Sequence, residues 1–149
     1  MRVLLTFLGL VLGGAVEAAP SLPVERIAFG SHVFHLETAR TFPQWQQGLA
    51  GRASLETDKG MLFVFPDPQP LHFWMKDTLI PLDIIFFNAD GSFNSVHKNA
   101  PPCKLPSATS SLCPTYPSQG PAQYVVELNG GTLDRLRIAP QRLTISSSL

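Results

Sequence analysis

The chain has no excess of charge of either sign. Its 149 residues contain 11 lysines and arginines against 11 aspartates and glutamates, and the formal net charge at pH 7 is +0. The basic residues are also scattered and form no positively charged stripe. Proteins that bind nucleic acid concentrate positive charge to neutralise phosphates. The composition therefore argues against a nucleic-acid partner.

Recognised catalytic and metal-binding motifs are also missing. The chain contains no Gly-x-Ser-x-Gly elbow, no His-Glu-x-x-His pair and no phosphate-binding glycine loop. Asn129, Gly130 and Gly131 lack the rest of a dinucleotide fingerprint, so they predict a turn. His32 and His35 are three residues apart on a predicted strand, which sends their side chains to opposite faces. We expect neither a metal nor a cofactor.

Cysteine is scarce, with only Cys103 and Cys113 in the segment PPCKLPSATSSLCP. Two nearby cysteines in an oxidising compartment form a disulfide most simply. A loop this short, once closed, stabilises the fold by about 2.5–3 kcal/mol on the chain-entropy model. A zinc site is a weaker interpretation, because no histidines cluster with the cysteines. The pair predicts a structural disulfide.

Long apolar runs are rare, and the longest one is at the N-terminus, in MRVLLTFLGLVLGGAVEAAP. Arg2 provides a positive start, residues 3–16 are uncharged, and small side chains precede the position after Ala18. This pattern is typical of a secretory signal peptide, and the run is shorter than the roughly 20 residues that span a bilayer. We predict a signal peptide at residues 1–18, no membrane span after cleavage, and a periplasmic or extracellular location.

The remaining chain has a length that suits one domain. Its 14 prolines and its many short apolar runs favour strands and loops over long helices. We therefore predict a mainly β (α+β) fold, a compact antiparallel sheet or barrel-like domain with one short helix near residues 41–50. Residues 19–32 would form an N-terminal segment with the first strand, and residues 33–149 a single domain.

Local signals place the elements. Thr41 is the predicted N-cap of the helix, and Phe42, Trp45 and Leu49 form a stripe expected to pack on the sheet. Apolar alternation and turn residues predict the strands. The predicted strands are 24–30 and 32–39 as a hairpin, 61–66 and 71–75 around a proline turn at 67–70, 82–87, 92–99, 122–129 and 141–146. A surface loop is predicted at 100–121, and one helical turn at 132–137.

The run LHFWMKDTLIPLDIIFFNADG places polar residues in the most apolar part of the chain. Asp83 lies inside a predicted buried strand, where an isolated carboxylate is too costly to remain ionised. It needs water, main-chain amides or a cation, and Lys76 and Arg52 are the candidate cations. Asp77 and Thr78 are suited to accept hydrogen bonds from amides of the intervening turn. The structural interpretation is a polar latch that fixes the turn and the strand register.

A functional interpretation uses the same residues as the rim of a pocket at one end of the domain. His72, Trp74 and Lys76 are spaced by two and so share one face of a strand. A tryptophan flanked by donors suits a sugar ring, an anion or an extended peptide. A further alternative is an enzyme in which Asp83 and His72 form an acid–base pair, with Arg52 and Lys76 stabilising an anion.

Four segments of the chain are similar to a known family. GMLFVFP, FWMKDTLIPLDIIFFNADG, PPC and YVVELNGG resemble the family catalogued as domain of unknown function 192, and the resemblance extends from Val33 to Ile145. It implies a small, mostly β domain, found free or behind an export signal, and supplies no reaction. Asp77 stands where the family usually has asparagine, and Ala139-Pro140 where it usually has a Gly-Asp pair.

These observations together predict an exported monomer of unassigned activity. The leading hypothesis is a non-catalytic accessory protein of the cell envelope that binds a ligand or a protein partner. The alternative is a small hydrolase that uses the acid–base pair described above. Candidate binding or latch residues are Arg52, His72, Trp74, Lys76, Asp77, Thr78 and Asp83.

Overall fold

The computed structural model describes residues 21–146. The predicted signal peptide at residues 1–18 lies outside these residues. None of the helices within the described part of the chain is long and apolar enough to cross a membrane.

The core of the molecule is one mixed β-sheet. Its strands are β1 (Val24–Phe29), β2 (His32–Ala39), β3 (Lys59–Trp74), β4 (Leu82–Phe87), β5 (Phe93–Ala100), β6 (Thr115–Asn129) and the two-residue β7 (Ile145–Ser146). They lie in the order β5-β4-β6-β3-β2-β1-β7. All neighbours are antiparallel except β2 and β3. The mainly β fold class is confirmed, and the sheet stays open instead of closing into a barrel.

The single parallel pair explains the position of the longer helix. Parallel neighbours require a crossover connection, and here the crossover from β2 to β3 contains α1 (Phe42–Gln47) and a loop at 48–58. The predicted helix near residues 41–50 is confirmed, with shorter bounds. Gln44 Oε1 accepts hydrogen bonds from the main-chain nitrogens of Arg40 (2.7 Å) and Thr41 (3.0 Å), which fixes the start of the helix.

The predicted apolar stripe of this helix is only partly buried. Leu49, just after the helix, is buried and Trp45 is half-buried against the sheet. Phe42 is 66% exposed, so the expectation that all three side chains pack on the sheet is wrong for Phe42. No residue of this six-residue helix is itself buried, and Leu49 lies beyond its end.

Two strands are longer than the sequence predicts. The proline turn expected at 67–70 is wrong, because β3 runs without a break through Pro66, Pro68 and Pro70. Its pairing with β6 shifts register between Val64 and Gln69, where the ladder is interrupted and a proline nitrogen needs no acceptor. The loop expected at 100–121 is likewise wrong over residues 115–121, which belong to β6.

Each face of the sheet carries its own apolar core. The face covered by α1, here called the helix-covered face, buries Met61, Phe63, Ile84, Phe86 and Val125 among others. The opposite face buries the alternate residues of the same strands together with the short helix α2 (Thr132–Arg135). Residues that alternate along a strand point to opposite faces, so this division follows from the strand period.

The predicted disulfide is confirmed. Cys103 and Cys113 are joined, with their Cα atoms 5.8 Å apart. The bond closes a connection that contains a 3₁₀ turn at Ser107–Leu112. It ties this connection to the turn after β3, because Lys76 and Cys103 form an isolated parallel bridge.

Candidate functional site

An aromatic cleft lies between α1 and β3 on the helix-covered face. Its volume is about 420 Å³. Helix α1 contributes Phe42, Trp45 and Gln46 to its walls. Strand β3 contributes Phe65, Gln69, Leu71, His72, Phe73 and Trp74.

The floor of the aromatic cleft is closely packed, whereas the side chains at its rim are exposed to solvent. Trp45 donates from Nε1 to the carbonyl oxygen of Ala39 at 3.1 Å, and its ring lies 4.7 Å from that of Phe65. Phe73 makes edge-to-face contacts with neighbouring aromatic rings, including Phe65. At the rim, by contrast, Trp74 is 43% exposed and Phe42 is more exposed still. Two aromatic faces are therefore available to a ligand.

A smaller cavity adjoins the aromatic cleft and shares Trp45, Gln46, Phe73 and Trp74 with it. Its volume is about 40 Å³, room for about one water molecule or one hydroxyl-sized group. The lining also includes Gln47, Gly48, Leu49, Ala50, Phe63, Lys76, Thr78 and Glu127. We call this space the Glu127 cavity.

Glu127 is the buried acid of this cavity. It lies on the central strand β6, directly between Met61 of β3 and Ile84 of β4, and so points to the helix-covered face. Only 4% of the residue is exposed, and its carboxyl makes no hydrogen bond or ion pair with any other residue that the structure describes. Burial raises the pKa of the carboxyl to about 8, so the acid is mostly protonated at neutral pH.

The turn after β3 brings a cation to the same cavity. Lys76 Nζ lies 5.4 Å from the centroid of the Trp74 ring, a cation–π contact. Thr78 is buried beside it and donates from Oγ1 to the Lys76 carbonyl oxygen at 3.4 Å. Asp77 is exposed at φ 56°, and its carbonyl oxygen accepts a 2.9 Å bond from the main-chain nitrogen of Gly51. The turn is thereby fixed to the loop after α1.

Asp83 lies on the opposite face of the sheet and is 0% exposed. Its carboxylate accepts hydrogen bonds from three main-chain nitrogens, those of Asn99 (2.7 Å), Gly131 (2.9 Å) and Leu133 (2.8 Å). Main-chain amides, one of the three compensations that the sequence leaves open, therefore satisfy this group, and neither candidate cation, Lys76 or Arg52, bonds to it. The alternative acid–base pair of Asp83 with His72 is wrong, because Asp83 has no surface that a substrate can reach.

Arg52 is engaged elsewhere. Its guanidinium donates to both carboxylate oxygens of Glu37, at 2.6 and 2.7 Å, and these bonds lower the pKa of the Glu37 carboxyl. The pair ties the loop after α1 to β2. Arg52 is not among the residues that line the aromatic cleft or the Glu127 cavity.

The structure thus divides the residues that the sequence grouped. His72, Trp74, Lys76 and Thr78 line the connected cleft and cavity, with Asp77 in the same turn, whereas Arg52 and Asp83 lie apart. Sequence reasoning missed Glu127, although the run YVVELN offered the signal of a lone acid in an apolar strand. It also assigned Phe42 to the core.

Comparisons with known proteins identify a family and two solved structures of similar fold. The model of an uncharacterised family, DUF192, described as "Uncharacterized ACR", matches residues 25–144. A candidate transcription regulator from Sinorhizobium meliloti is 35% identical, with a TM-score of 0.73 over 85% of this chain and 97% of that one. A protein of unknown function from Novosphingobium aromaticivorans is 34% identical, also with a TM-score of 0.73, over 89% of this chain and 91% of that one. No curated protein matches.

Proposed function

The chain belongs to the uncharacterised DUF192 family, and we propose that this member is an exported, non-catalytic domain of the cell envelope that binds a saccharide in its aromatic cleft. The observation that carries the proposal is the pair of exposed aromatic side chains, Phe42 and Trp74, at the rim of a cleft of about 420 Å³. Clefts of this size, with apolar walls and a few polar groups, are typical of small-molecule sites.

The chemistry of the walls favours a saccharide. A sugar ring has an apolar C–H face that packs on an aromatic ring and an edge of hydroxyls that needs hydrogen-bonding partners. Gln46, Gln69 and His72 supply neutral donors and acceptors beside the exposed rings. Lys76, whose ammonium lies over the Trp74 ring, is a further donor. An anion would find no lysine or arginine among the residues that line the cleft itself.

Export is supported by two independent features. The N-terminal pattern of Arg2, an uncharged run and small residues before position 19 is that of a cleaved signal peptide. The disulfide between Cys103 and Cys113 is stable in the oxidising compartment to which such a signal directs a chain. We expect the mature domain to be a monomer without a bound cofactor.

We do not propose a role in transcription, which is the role that the name of the Sinorhizobium protein gives to that protein. This chain has equal numbers of acidic and basic side chains. The positive charge that attracts a phosphate backbone is therefore lacking.

Calorimetric titration of residues 19–149 tests the cleft, with cellobiose, maltose, chitobiose and soluble peptidoglycan fragments as ligands. We expect at least one of them to bind. Trp74→Ala and Phe42→Ala should each weaken that binding about tenfold, equivalent to about 1.4 kcal/mol, because each removes a stacking face.

Phe93→Ala is the matched control, since Phe93 is an exposed aromatic residue on β5. It should bind as the wild type does. Equal affinity in the wild type and the Trp74→Ala variant would contradict the proposal, as would binding of extended peptides alone. Cleavage of a bound saccharide during the titration would contradict the non-catalytic part.

A further inference from the structure

We propose that Glu127 is a second, inner determinant of this binding site, and that its protonated carboxyl donates a hydrogen bond to a ligand oxygen inserted into the Glu127 cavity. This inference rests on the proposed function, because it assumes that the aromatic cleft holds the remainder of the ligand. It adds a requirement on the ligand, which must present a carbonyl oxygen, an acceptor only, on a short projection.

The shape of the site supports one inserted group. The cavity and the aromatic cleft share four lining residues, so a ligand that stacks on Trp74 lies next to the cavity. The volume of about 40 Å³ excludes a whole ring and admits a single hydroxyl-sized group. A ligand oxygen there would meet the Glu127 carboxyl as the acid of the lining.

The hydrogen bonding of Glu127 supports a ligand role over a structural one. The other buried acid on the central strands, Asp83, accepts three main-chain amides and fixes the chain at that point. Glu127 makes no such bond to a described residue. A buried polar group without a partner costs free energy, and such costs concentrate at functional sites.

The charges around Glu127 leave it without a fixed counter-ion. From the turn after β3, Lys76 lines the same cavity, but its ammonium lies over the Trp74 ring and makes no ion pair with Glu127. The directly flanking residues of β3 and β4 are apolar. Helix α1 faces the cavity with neutral amides, those of Gln46 and Gln47.

More distant charges in the same cross-strand row are already engaged. On β2, beyond Met61, Glu37 is paired with Arg52. On β5, beyond Ile84, the His97 ring is bonded to the carbonyl oxygen of Pro117 at 2.8 Å. Burial therefore dominates, and the pKa of the Glu127 carboxyl lies near 8.

A pH dependence of binding follows. Below about pH 8 the acid keeps its proton and donates to the ligand oxygen. Above that pH the proton is lost and the carboxylate can only accept, so its lone pairs face those of a ligand carbonyl oxygen, which cannot donate. Affinity should therefore fall as the solution becomes alkaline. A ligand that placed an amine in the cavity would show the reverse, since it needs the carboxylate.

The experiment measures the affinity of residues 19–149 for chitobiose and the peptidoglycan fragments, whose acetamido groups carry a carbonyl oxygen, between pH 6 and 9.5. The wild type should lose at least tenfold in affinity across this range. Glu127→Gln keeps the volume and a donor but cannot titrate, so it should bind within about threefold of the wild type at pH 6.5 and stay constant. Glu127→Leu, of similar size without a donor, should lose about tenfold at pH 6.5. Tenfold corresponds to about 1.4 kcal/mol.

Asp67→Asn is the control, because Asp67 is an exposed acid on β3. It should keep the wild-type pH profile. Binding that Trp74→Ala abolishes but Glu127→Leu leaves intact would overturn the inference and leave the proposed function standing. A parallel fall in the wild type and Glu127→Gln, or affinity that rises with pH, would also overturn it. The absence of binding to every saccharide would overturn the proposed function and the inference together.

Discussion

Two lone acids in apolar strands show what a sequence reveals about a buried charge. Asp83 and Glu127 give the same signal, a carboxyl among apolar neighbours. One is satisfied by amides from distant parts of the chain, including Gly131 and Leu133, and the other meets a cavity. The sequence shows that burying each carboxyl would cost free energy. It does not show what each carboxyl contacts, because strands far apart in the chain pair to bring those groups together.

The amide bonds to Asp83 predict a purely structural effect on substitution. Asp83→Asn replaces one accepting oxygen by an NH₂ group that faces main-chain donors, so at least one amide loses its acceptor. We expect the free energy of unfolding in urea to fall by about 1–3 kcal/mol, with saccharide affinity unchanged in the folded protein. Asp67→Asn should leave stability unchanged. Unaltered stability of the Asp83 variant would contradict the latch.

The elements that the sequence predicted well are those with local signals. The hairpin of β1 and β2 turns at Gly30-Ser31, and the turn at 88–91 leads into β5, both as expected. In each case the turn residues and the alternation of the flanking strands lie within a few positions of one another. The disulfide is equally local, because its two cysteines are ten positions apart in the sequence.

The full lengths of strands β3 and β6 could not be predicted from local sequence signals. Prolines at 66, 68 and 70 indicate a break, yet the two strands pair from Gly60 with Leu128 to Trp74 with Thr115. Register shifts at two points accommodate the prolines within the ladder. The length of this pair has a functional consequence. The outer half of β3 supplies His72, Phe73 and Trp74, so the aromatic cleft depends on an extension that proline content argued against.

The candidate site as a whole could be predicted only in part. The motif around Trp74 and Lys76 was identified from spacing along one strand. Glu127 joins it through the β3–β6 and β4–β6 pairings, and Trp45 joins it through the crossover that carries α1. Such contacts depend on the order of the strands in the sheet, and the local sequence pattern of one strand does not specify that order.

One measurement of intact mass tests whether the protein is exported and its signal peptide is cleaved. When the full chain is expressed in a bacterium and recovered from the periplasm or medium, its intact mass should correspond to a chain that begins at Ala19. The mass should also be lower by two hydrogens, because Cys103 and Cys113 are joined. The same chain made without residues 1–18 in a reducing cytoplasm should carry two thiols. A recovered protein that retains residues 1–18 would contradict cleavage.

Two carboxyls with opposite pKa shifts should give the molecule a stability maximum at mildly acidic pH. The bonds from Arg52 lower the pKa of the Glu37 carboxyl, so this pair stabilises the fold above the unfolded pKa and is lost as pH falls. Burial raises the pKa of Glu127 from 4.5 to about 8. The unfolded chain therefore releases this proton first, and stability declines as pH rises between those values.

The fall in stability at alkaline pH is caused by Glu127, and we expect a substitution there to remove it. Its slope should approach about 1.4 kcal/mol per pH unit and level off above about pH 8. Glu127→Gln mimics the protonated acid and should flatten the profile, with a higher Tm than the wild type at pH 8 and a similar Tm at pH 4.5. Thermal unfolding from pH 4 to 9 measures both proteins. Parallel profiles of the wild type and Glu127→Gln would contradict the prediction. They would mean that burial does not keep the Glu127 carboxyl protonated at neutral pH.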